Sequence, residues 1–298
     1  MTKITESVKT GRILVSDGAW GTFLYEKGLA VGECPESWCL THVNDLHDIA
    51  NAYVTAEADI ISTNSFGANR FKLAHYGLAA DMIYINETAA KISRLAAGDK
   101  CWVAASVGPT GKLLVMGDTT EVELYEAFKA QVTALEAGGA NAVCIETMSD
   151  TAEASLAIRA AKKNTALEVM CTFTFEQTQN SGYRTFMGIT PSGAARSAIE
   201  ACADIIGANC GDGFEGMIDI VKEMRAVNKG IPILIQSNAG LPISTDTGNI
   251  YPDTPGDMAR FVPALIAAGA NIIGGCCGAG PEHIKAIVSA VRRTSIDV

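Results

Sequence analysis

Three cysteines carry the clearest chemistry in this chain. Cys210 closes the apolar stretch ending in "GANCGDG", and Cys276 and Cys277 stand side by side in "GGCCGAG". Both sites follow short runs of β-branched apolar residues, where a buried strand would end. Adjacent residues in a regular strand point to opposite faces, so Cys276 and Cys277 cannot both reach one point from ideal β geometry. Gly274, Gly275 and Gly278 permit backbone angles closed to other residues, so the strand can break there and turn both sulfurs to one side. A vicinal disulfide is the competing arrangement. Adjacent Cα atoms lie about 3.8 Å apart, short of the roughly 4.4–6.8 Å of ordinary disulfides, so that bond would be strained. Three converging thiolates suit a soft or borderline metal, zinc first, with a fourth tetrahedral position open. A dication with three thiolates bears net negative charge, which makes it a poor activator of water. It still binds an incoming thiol as thiolate and leaves that sulfur electron-rich, so the pattern points to thiol alkylation rather than hydrolysis.

Polar residues at other strand ends extend the pattern. Asp17 follows the first apolar run in "VSDGAWGT", Thr63 and Asn64 follow the second in "ISTNSFG", and Glu146 closes the fourth in "CIETMSD". Asn209 and Asn238 fall at the ends of the sixth and seventh. Asp17 and Glu146 are the acids placed to hold a cation such as the ammonium of an amino acid. The backbone amides of the Gly18–Ala19 turn could hold a carboxylate. Blander roles compete: Asp17 as a helix cap, Asn64 and Asn238 as turn formers. "GPTG" at Gly108–Gly111 lacks the ending of a phosphate loop. Of the other cysteines, Cys101, Cys144, Cys171 and Cys202 read as core filling. The Cys34–Cys39 spacing is weak evidence for a second metal. His42, His47, His75 and His283 fall away from strand ends, as surface or capping residues.

The elements that must bring these residues together recur eight times. Apolar runs at Arg12–Ser16, Asp59–Thr63, Cys101–Val107, Asn141–Glu146, Leu167–Phe175, Asp204–Cys210, Ile231–Ser237 and Asn271–Cys276 read as strands buried on both faces. Helical spacing fills the intervals, as in Val43–Ala58, Glu121–Ala137, Ala152–Lys163 and Gly216–Val227. "EAGGANAVCIET" and "AAGANIIGGCCG" resemble each other, each with glycine between helix and strand. Eight βα units with parallel connections predict an α/β fold, a closed (β/α)8 barrel, over residues 1–298 as one domain. All strand ends then share one mouth. Ala19–Thr41 and Ser237–Pro255 are predicted as long irregular loops at that mouth.

Composition narrows the classes. The 298 residues include Lys+Arg 23 against Asp+Glu 33, a formal net charge of −10, so no basic footprint for nucleic acid exists. The apolar runs are too short and too interrupted by glycine to span a membrane. The polar N-terminus lacks the apolar core of a secretion signal. A cytoplasmic location is expected, with the nine cysteines as thiols or metal ligands rather than a disulfide framework.

"DGAWGT", "TNSFGANR", "GPTG", "IETMSD", "GANCGDG", "SNAGLP" and "GGCCGAGPEHI" occur in that order from about Arg12 to Ile287. Together they resemble the zinc-dependent homocysteine S-methyltransferases, above all the homocysteine-binding barrel of cobalamin-dependent methionine synthases. The resemblance implies Cys210, Cys276 and Cys277 as zinc ligands. It implies contacts from Asp17, Gly18, Thr63 and Glu146 to the amino-acid part of homocysteine, with Asn238 matching an asparagine close to the metal. Asn64 falls on the same wall. Trp20 is a departure, since a smaller or more flexible residue such as methionine is frequent there. The sequence holds no cobalamin-binding histidine motif, so the expected methyl donor is a methylcorrinoid carried by a separate protein. A free onium donor, S-methylmethionine or betaine, is the alternative, as is methylation of another thiol or selenol.

Overall fold

The computed structural model describes residues 2–179, 182–245 and 248–296. Eight parallel strands form one sheet: β1 (Leu14–Val15), β2 (Ile60–Ser62), β3 (Trp102–Val107), β4 (Ala142–Met148), β5 (Glu168–Phe173), β6 (Ile205–Cys210), β7 (Ile233–Ser237) and β8 (Ile272–Gly275). Each pairs with its neighbours in sequence, and β8 pairs with β1. A parallel bridge between Ser16 and Ile60 closes the ring. The eight predicted runs therefore all become strands of the predicted barrel.

A helix follows every strand: Val43–Thr55, Met82–Ala97, Glu121–Ala137, Thr151–Asn164, Pro191–Glu200, Phe214–Val227, Val262–Ala268 and Pro281–Ile296. Local chemistry starts them. Thr120 and Glu123 form a reciprocal capping box, Asp150 accepts from the Ala152 amide, and Thr190 caps a helix with proline at its first position. Their buried faces pack on the outside of the sheet with residues such as Val143, Val169 and Ile235.

Strand alternation divides the barrel interior into two levels. The lower level is apolar: Leu14, Ile60, Trp102, Ala104, Ala142, Cys144, Met170, Ile205, Leu234 and Ile272 pack together. The helix Ile4–Lys9 plugs it from below through Ile4 and Val8. Buried Glu168 holds that plug, accepting from the Ile4 amide at 2.6 Å and the Thr5 hydroxyl at 2.6 Å. Continuing the same inward register upward gives Ser62, Ser106, Glu146, Thr172, Asn209 and Gln236, with glycine at 207 and 274. The strands are thus apolar below and polar above, and the polar level opens at the mouth.

The mouth loops hold more structure than their sequences suggest. The predicted irregular stretch Ala19–Thr41 contains the helices Trp20–Glu26 and Trp38–Thr41 with a short 3-10 turn at Pro35–Ser37. The stretch after β7 folds a two-stranded antiparallel hairpin, Ile243–Thr245 with Gly248–Ile250. Its positions 246 and 247 lie outside the described residues. Cys202 is exposed rather than core, at φ 73° beyond a helix end, while Cys101, Cys144 and Cys171 are buried as expected. No described helix is long and apolar enough to cross a membrane.

Candidate metal and substrate site

The sulfurs of Cys210, Cys276 and Cys277 lie within 4.8 Å of one another, and all three cysteines are free. Backbone geometry accounts for the convergence. Asn209 faces the barrel interior, so regular alternation would aim Cys210 outward. Instead Cys210 adopts φ 61°, followed by Gly211 at φ 68°, and its sulfur reaches 3.2 Å from that of Cys276. Beyond β8 the chain turns sharply, with the Ala279 amide donating to the Cys276 carbonyl at 3.0 Å. Gly278 holds the third position of that turn at φ 78°, the left-handed angle a type II turn demands. A Cβ there would also press into Tyr251. The turn swings Cys277 to the side of Cys276, as the glycine frame predicts.

Asn238 ties the two cysteine segments together. Its Nδ2 donates to the Gly211 carbonyl at 2.9 Å, and its Oδ1 accepts from the Cys277 amide at 3.1 Å. Its side chain is spent on the backbone of the cysteine segments, behind the cavity wall. Tyr251 hydrogen-bonds the Cys277 sulfur from the hairpin loop. The three thiols titrate as a set. Hydrogen bonds from Cys210 and then Cys276 draw the Cys277 thiol down, while its bonds to the other two sulfurs drive Cys276 up. A soft trithiolate set at this spacing fits a zinc-like ion.

A cavity of about 350 Å³ runs from the cysteines into the polar level of the barrel. Gly18, Thr63, Asn64 and Glu146 line it with the three cysteines, as do Trp20, Glu36, Phe66, Ser106, Thr147 and Gln236. Glu146 receives the Ser106 hydroxyl on Oε1, and burial raises its carboxyl to about 7. An extra residue in β4 shifts its register against β5 between Ile145 and Met148. At that bulge Thr147 sits at φ 60°, clamped by Asn209, whose Oδ1 accepts the Thr147 amide at 2.8 Å and whose Nδ2 donates to its hydroxyl at 2.7 Å. Thr63 bonds the Ser65 hydroxyl at 2.5 Å and accepts from the Ser106 amide at 3.1 Å. Asn64 donates to the Pro35 carbonyl at 2.8 Å.

Asp17 lies behind the wall instead of on it. It is fully buried, and burial raises its carboxyl to about 6 against opposing hydrogen bonds from Ser62, Trp20 and its own backbone amide. Gly18 brings the chain against Ala279: a Cβ at position 18 would overlap the Ala279 carbonyl oxygen. The Ala19 amide, half of the proposed anion turn, already donates to that same oxygen at 2.9 Å. Cys34 and Cys39 form no metal cluster with the nearby acid among the described residues. Cys34 instead donates to Glu36 at 3.3 Å, and Glu36 accepts the Gly67 amide at 2.5 Å.

Several wall residues escape a reading by motif. Ser106 and Gln236 have a signal in retrospect: each is a polar side chain in the upper half of an otherwise apolar strand. Glu36, in the short Pro35–Ser37 turn, and Tyr251, beside Cys277 rather than on the cavity wall, have none.

The chain is a closed parallel barrel with a trithiol cluster at its mouth and a polar cavity beneath it. A profile of the homocysteine S-methyltransferase family matches residues 14–291, and the chain belongs to that family. It is 30% identical over 298 residues to methionine synthase of Mycobacterium leprae, covering 95% of this chain and 24% of that protein. Methionine synthase of Mycobacterium tuberculosis is 30% identical over 300 residues, with 95% and 25% covered. The chain thus spans about a quarter of the length of these curated relatives. The metallated form of the homocysteine methyltransferase MmuM from Escherichia coli superposes with a TM-score of 0.79 at 20% identity, covering 95% of this chain and 98% of that one. A methyltransferase from Methanosarcina mazei superposes with a TM-score of 0.61 at 11% identity, covering 97% of each. At these identities the two structures speak for the fold.

Proposed function

We propose that this chain methylates the thiol of homocysteine, giving methionine, at the Cys210, Cys276 and Cys277 cluster. The observation that carries the reading is the meeting of three free sulfurs at the edge of a cavity with a carboxylate on its wall. Family membership supports the acceptor. Cys210, Cys276 and Cys277 would hold a zinc ion. Bound there, zinc would lower the pKa of an incoming thiol and keep its sulfur nucleophilic.

The protein's own groups then bind and orient. The amino-acid head of the acceptor enters the polar level, where Glu146 offers a carboxylate to its ammonium and Thr63 and Asn64 shape the wall. Gly18 keeps the first loop close to the Cys276–Ala279 turn. Tyr251 and Asn238 hold the cysteine segments in place. With the thiol proton gone, the sulfur lone pair forms a bond to the methyl carbon as the bond from that carbon to the donor breaks, its electrons leaving with the donor. Alignment of sulfur, methyl and donor supplies much of the acceleration.

For the donor, a methylcorrinoid carried by another protein or module is the favoured reading. Exposed apolar side chains ring the mouth on the loops after β3, β5 and β7: Val115, Met116, Phe186, Leu241, Ile243 and Ile250. That rim suits a protein-borne donor better than a small free one. The test is methyl transfer to homocysteine by zinc-loaded protein with methylcobalamin-loaded carrier and, separately, with S-methylmethionine or betaine. Turnover with a free onium donor alone would reject the carrier. Absence of both homocysteine binding and turnover would reject the function.

A further inference from the structure

The carboxylate of Asp17 is fully buried and already accepts three hydrogen bonds from Ser62 and Trp20. Its Oδ1 accepts the Ser62 hydroxyl at 2.9 Å, and its Oδ2 accepts the Ser62 amide at 2.6 Å and the Trp20 indole N–H at 2.9 Å. Trp20 lines the cavity and Asp17 does not. An indole N–H donates and cannot accept, which is the hydrogen-bond role an ammonium would fill. The ring therefore stands between the cavity and the acid.

Two other cavity groups are unfilled. Glu146 takes the Ser106 hydroxyl on Oε1, and among the described residues no donor reaches its Oε2. Gln236 is only 7% exposed, lines the same cavity, and its Oε1 is buried without a donor. A buried acceptor without a donor, on a side chain that lines a cavity, is costly unless a ligand or a rotation of its amide completes it. Gln236 pairs in register with Asn209 and Gly274, one residue below the level at which Cys210 pairs with Ser237 and Ser237 with Gly275. It thus lies directly below the cysteine level, within the space an acceptor bound there by sulfur would fill.

We propose that Trp20 occupies Asp17 in place of the substrate, so that Glu146 and Gln236 read the acceptor's ammonium. The inference rests on the proposed acceptor class and deepens it. Asp17 becomes a positioning residue, and Trp20 sets which carboxylate meets the amine. Gln236 becomes a substrate contact that no motif indicates.

The experiment is calorimetric binding of homocysteine and 4-mercaptobutyrate, which keeps thiol and carboxylate but lacks the amine, to zinc-loaded wild type, Asp17→Asn, Glu146→Gln and Gln236→Met. Wild type should prefer homocysteine. Glu146→Gln should lose about tenfold or more of that preference, the worth of one charge-assisted hydrogen bond, and Gln236→Met severalfold. Asp17→Asn should keep the preference even if both ligands weaken. A second measurement does not depend on the variants' stability. The indole N–H resonance of Trp20, assigned with Trp20→Phe, should keep its shift when wild type is saturated with homocysteine. A preference lost in Asp17→Asn and kept in Glu146→Gln, or a Trp20 resonance moving on saturation, overturns the proposal while leaving the function intact. Wild type that binds no homocysteine removes both.

Discussion

Cys210 and Cys276 lie 66 positions apart in the chain and 3.2 Å apart at their sulfurs. Neither side chain gets there by strand geometry alone. Cys210 needs a left-handed backbone, and Cys276 begins a turn that Gly278 makes feasible. Two thiols in contact without a cation would carry strong mutual repulsion once ionised, so the arrangement makes sense as a ligand set.

Serine at Cys210 or Cys276 should therefore abolish stable metal binding. Metal analysis after gel filtration should give about one zinc per wild-type chain and far less in either variant, with affinity reduced by about a hundredfold or more. Cys202→Ser is the control, since Cys202 is exposed and remote from the cluster. Wild-type-like zinc retention in Cys210→Ser would mean that the sulfurs do not act together.

Asn238 offers a finer test, because it touches the cluster only through backbone. Asn238→Ala removes the bonds to Gly211 and Cys277 that fix the two segments relative to each other. Zinc affinity should fall about 10–100-fold, the usual scale for groups that support a ligand. Competition with a chromophoric chelator measures it. An unchanged affinity would show that the turn after β8 holds its shape unaided.

The barrel was legible because its determinants are local and repeated. Each buried parallel strand writes a short apolar run, and each helix writes a 3.6-residue period. The three cysteines were legible for a related reason: strand ends in a barrel share one mouth, so three thiols at strand ends have to be near one another. The cavity wall was harder. Asp17 and Glu146 look alike in sequence, an acid at the end of a strand, yet one is sealed by Ser62 and Trp20 and the other opens to the cavity. That difference is set by an indole three residues on and a hydroxyl from the next strand, which no spacing rule encodes. Glu36 and Tyr251 come from loops whose path depends on tertiary packing. Cys202 misled because a small apolar residue beside a helix end reads as core, although the left-handed turn there leaves it in solvent.

The carboxyl of Glu146 gives a pH dependence with a definite sign. Burial raises it to about 7, so below that pH the free site holds a neutral acid and cannot pair with an ammonium. Homocysteine affinity should fall by up to a further tenfold per pH unit below about 7, beyond the slope that thiol ionisation gives both ligands, and this extra slope should be absent for 4-mercaptobutyrate and in Glu146→Gln. Stability moves the same group the other way. The folded state holds this proton more tightly than the unfolded chain does, so its contribution is greatest below about 4.5 and is lost as pH rises to about 7. Glu146→Gln should accordingly raise the denaturation midpoint at pH 8. A wild-type binding profile no steeper from pH 5 to 8 than that of Glu146→Gln would rule Glu146 out as the ammonium partner.

Gly18 links the first loop to the Cys276–Ala279 turn and should be intolerant of even one methyl group. A Cβ at Gly18 would overlap the Ala279 carbonyl, the same oxygen that accepts the Ala19 amide, beside the Tyr53 hydroxyl that donates to the Ala19 carbonyl at 2.7 Å. Gly18→Ala must therefore push Ala279 away, and Ala279 closes the turn that carries Cys276 and Cys277. Overpacking of this kind costs about 1–3 kcal/mol, read as a lower urea midpoint, and should weaken zinc binding in the same variant. Gly21→Ala is the matched control, since a Cβ at that helical position meets nothing within 4 Å. It should leave zinc affinity unchanged and hold or slightly raise the midpoint. Should Gly18→Ala lose stability but keep full zinc affinity, the two loops are coupled in packing only, and the cysteine turn holds its geometry without the first loop.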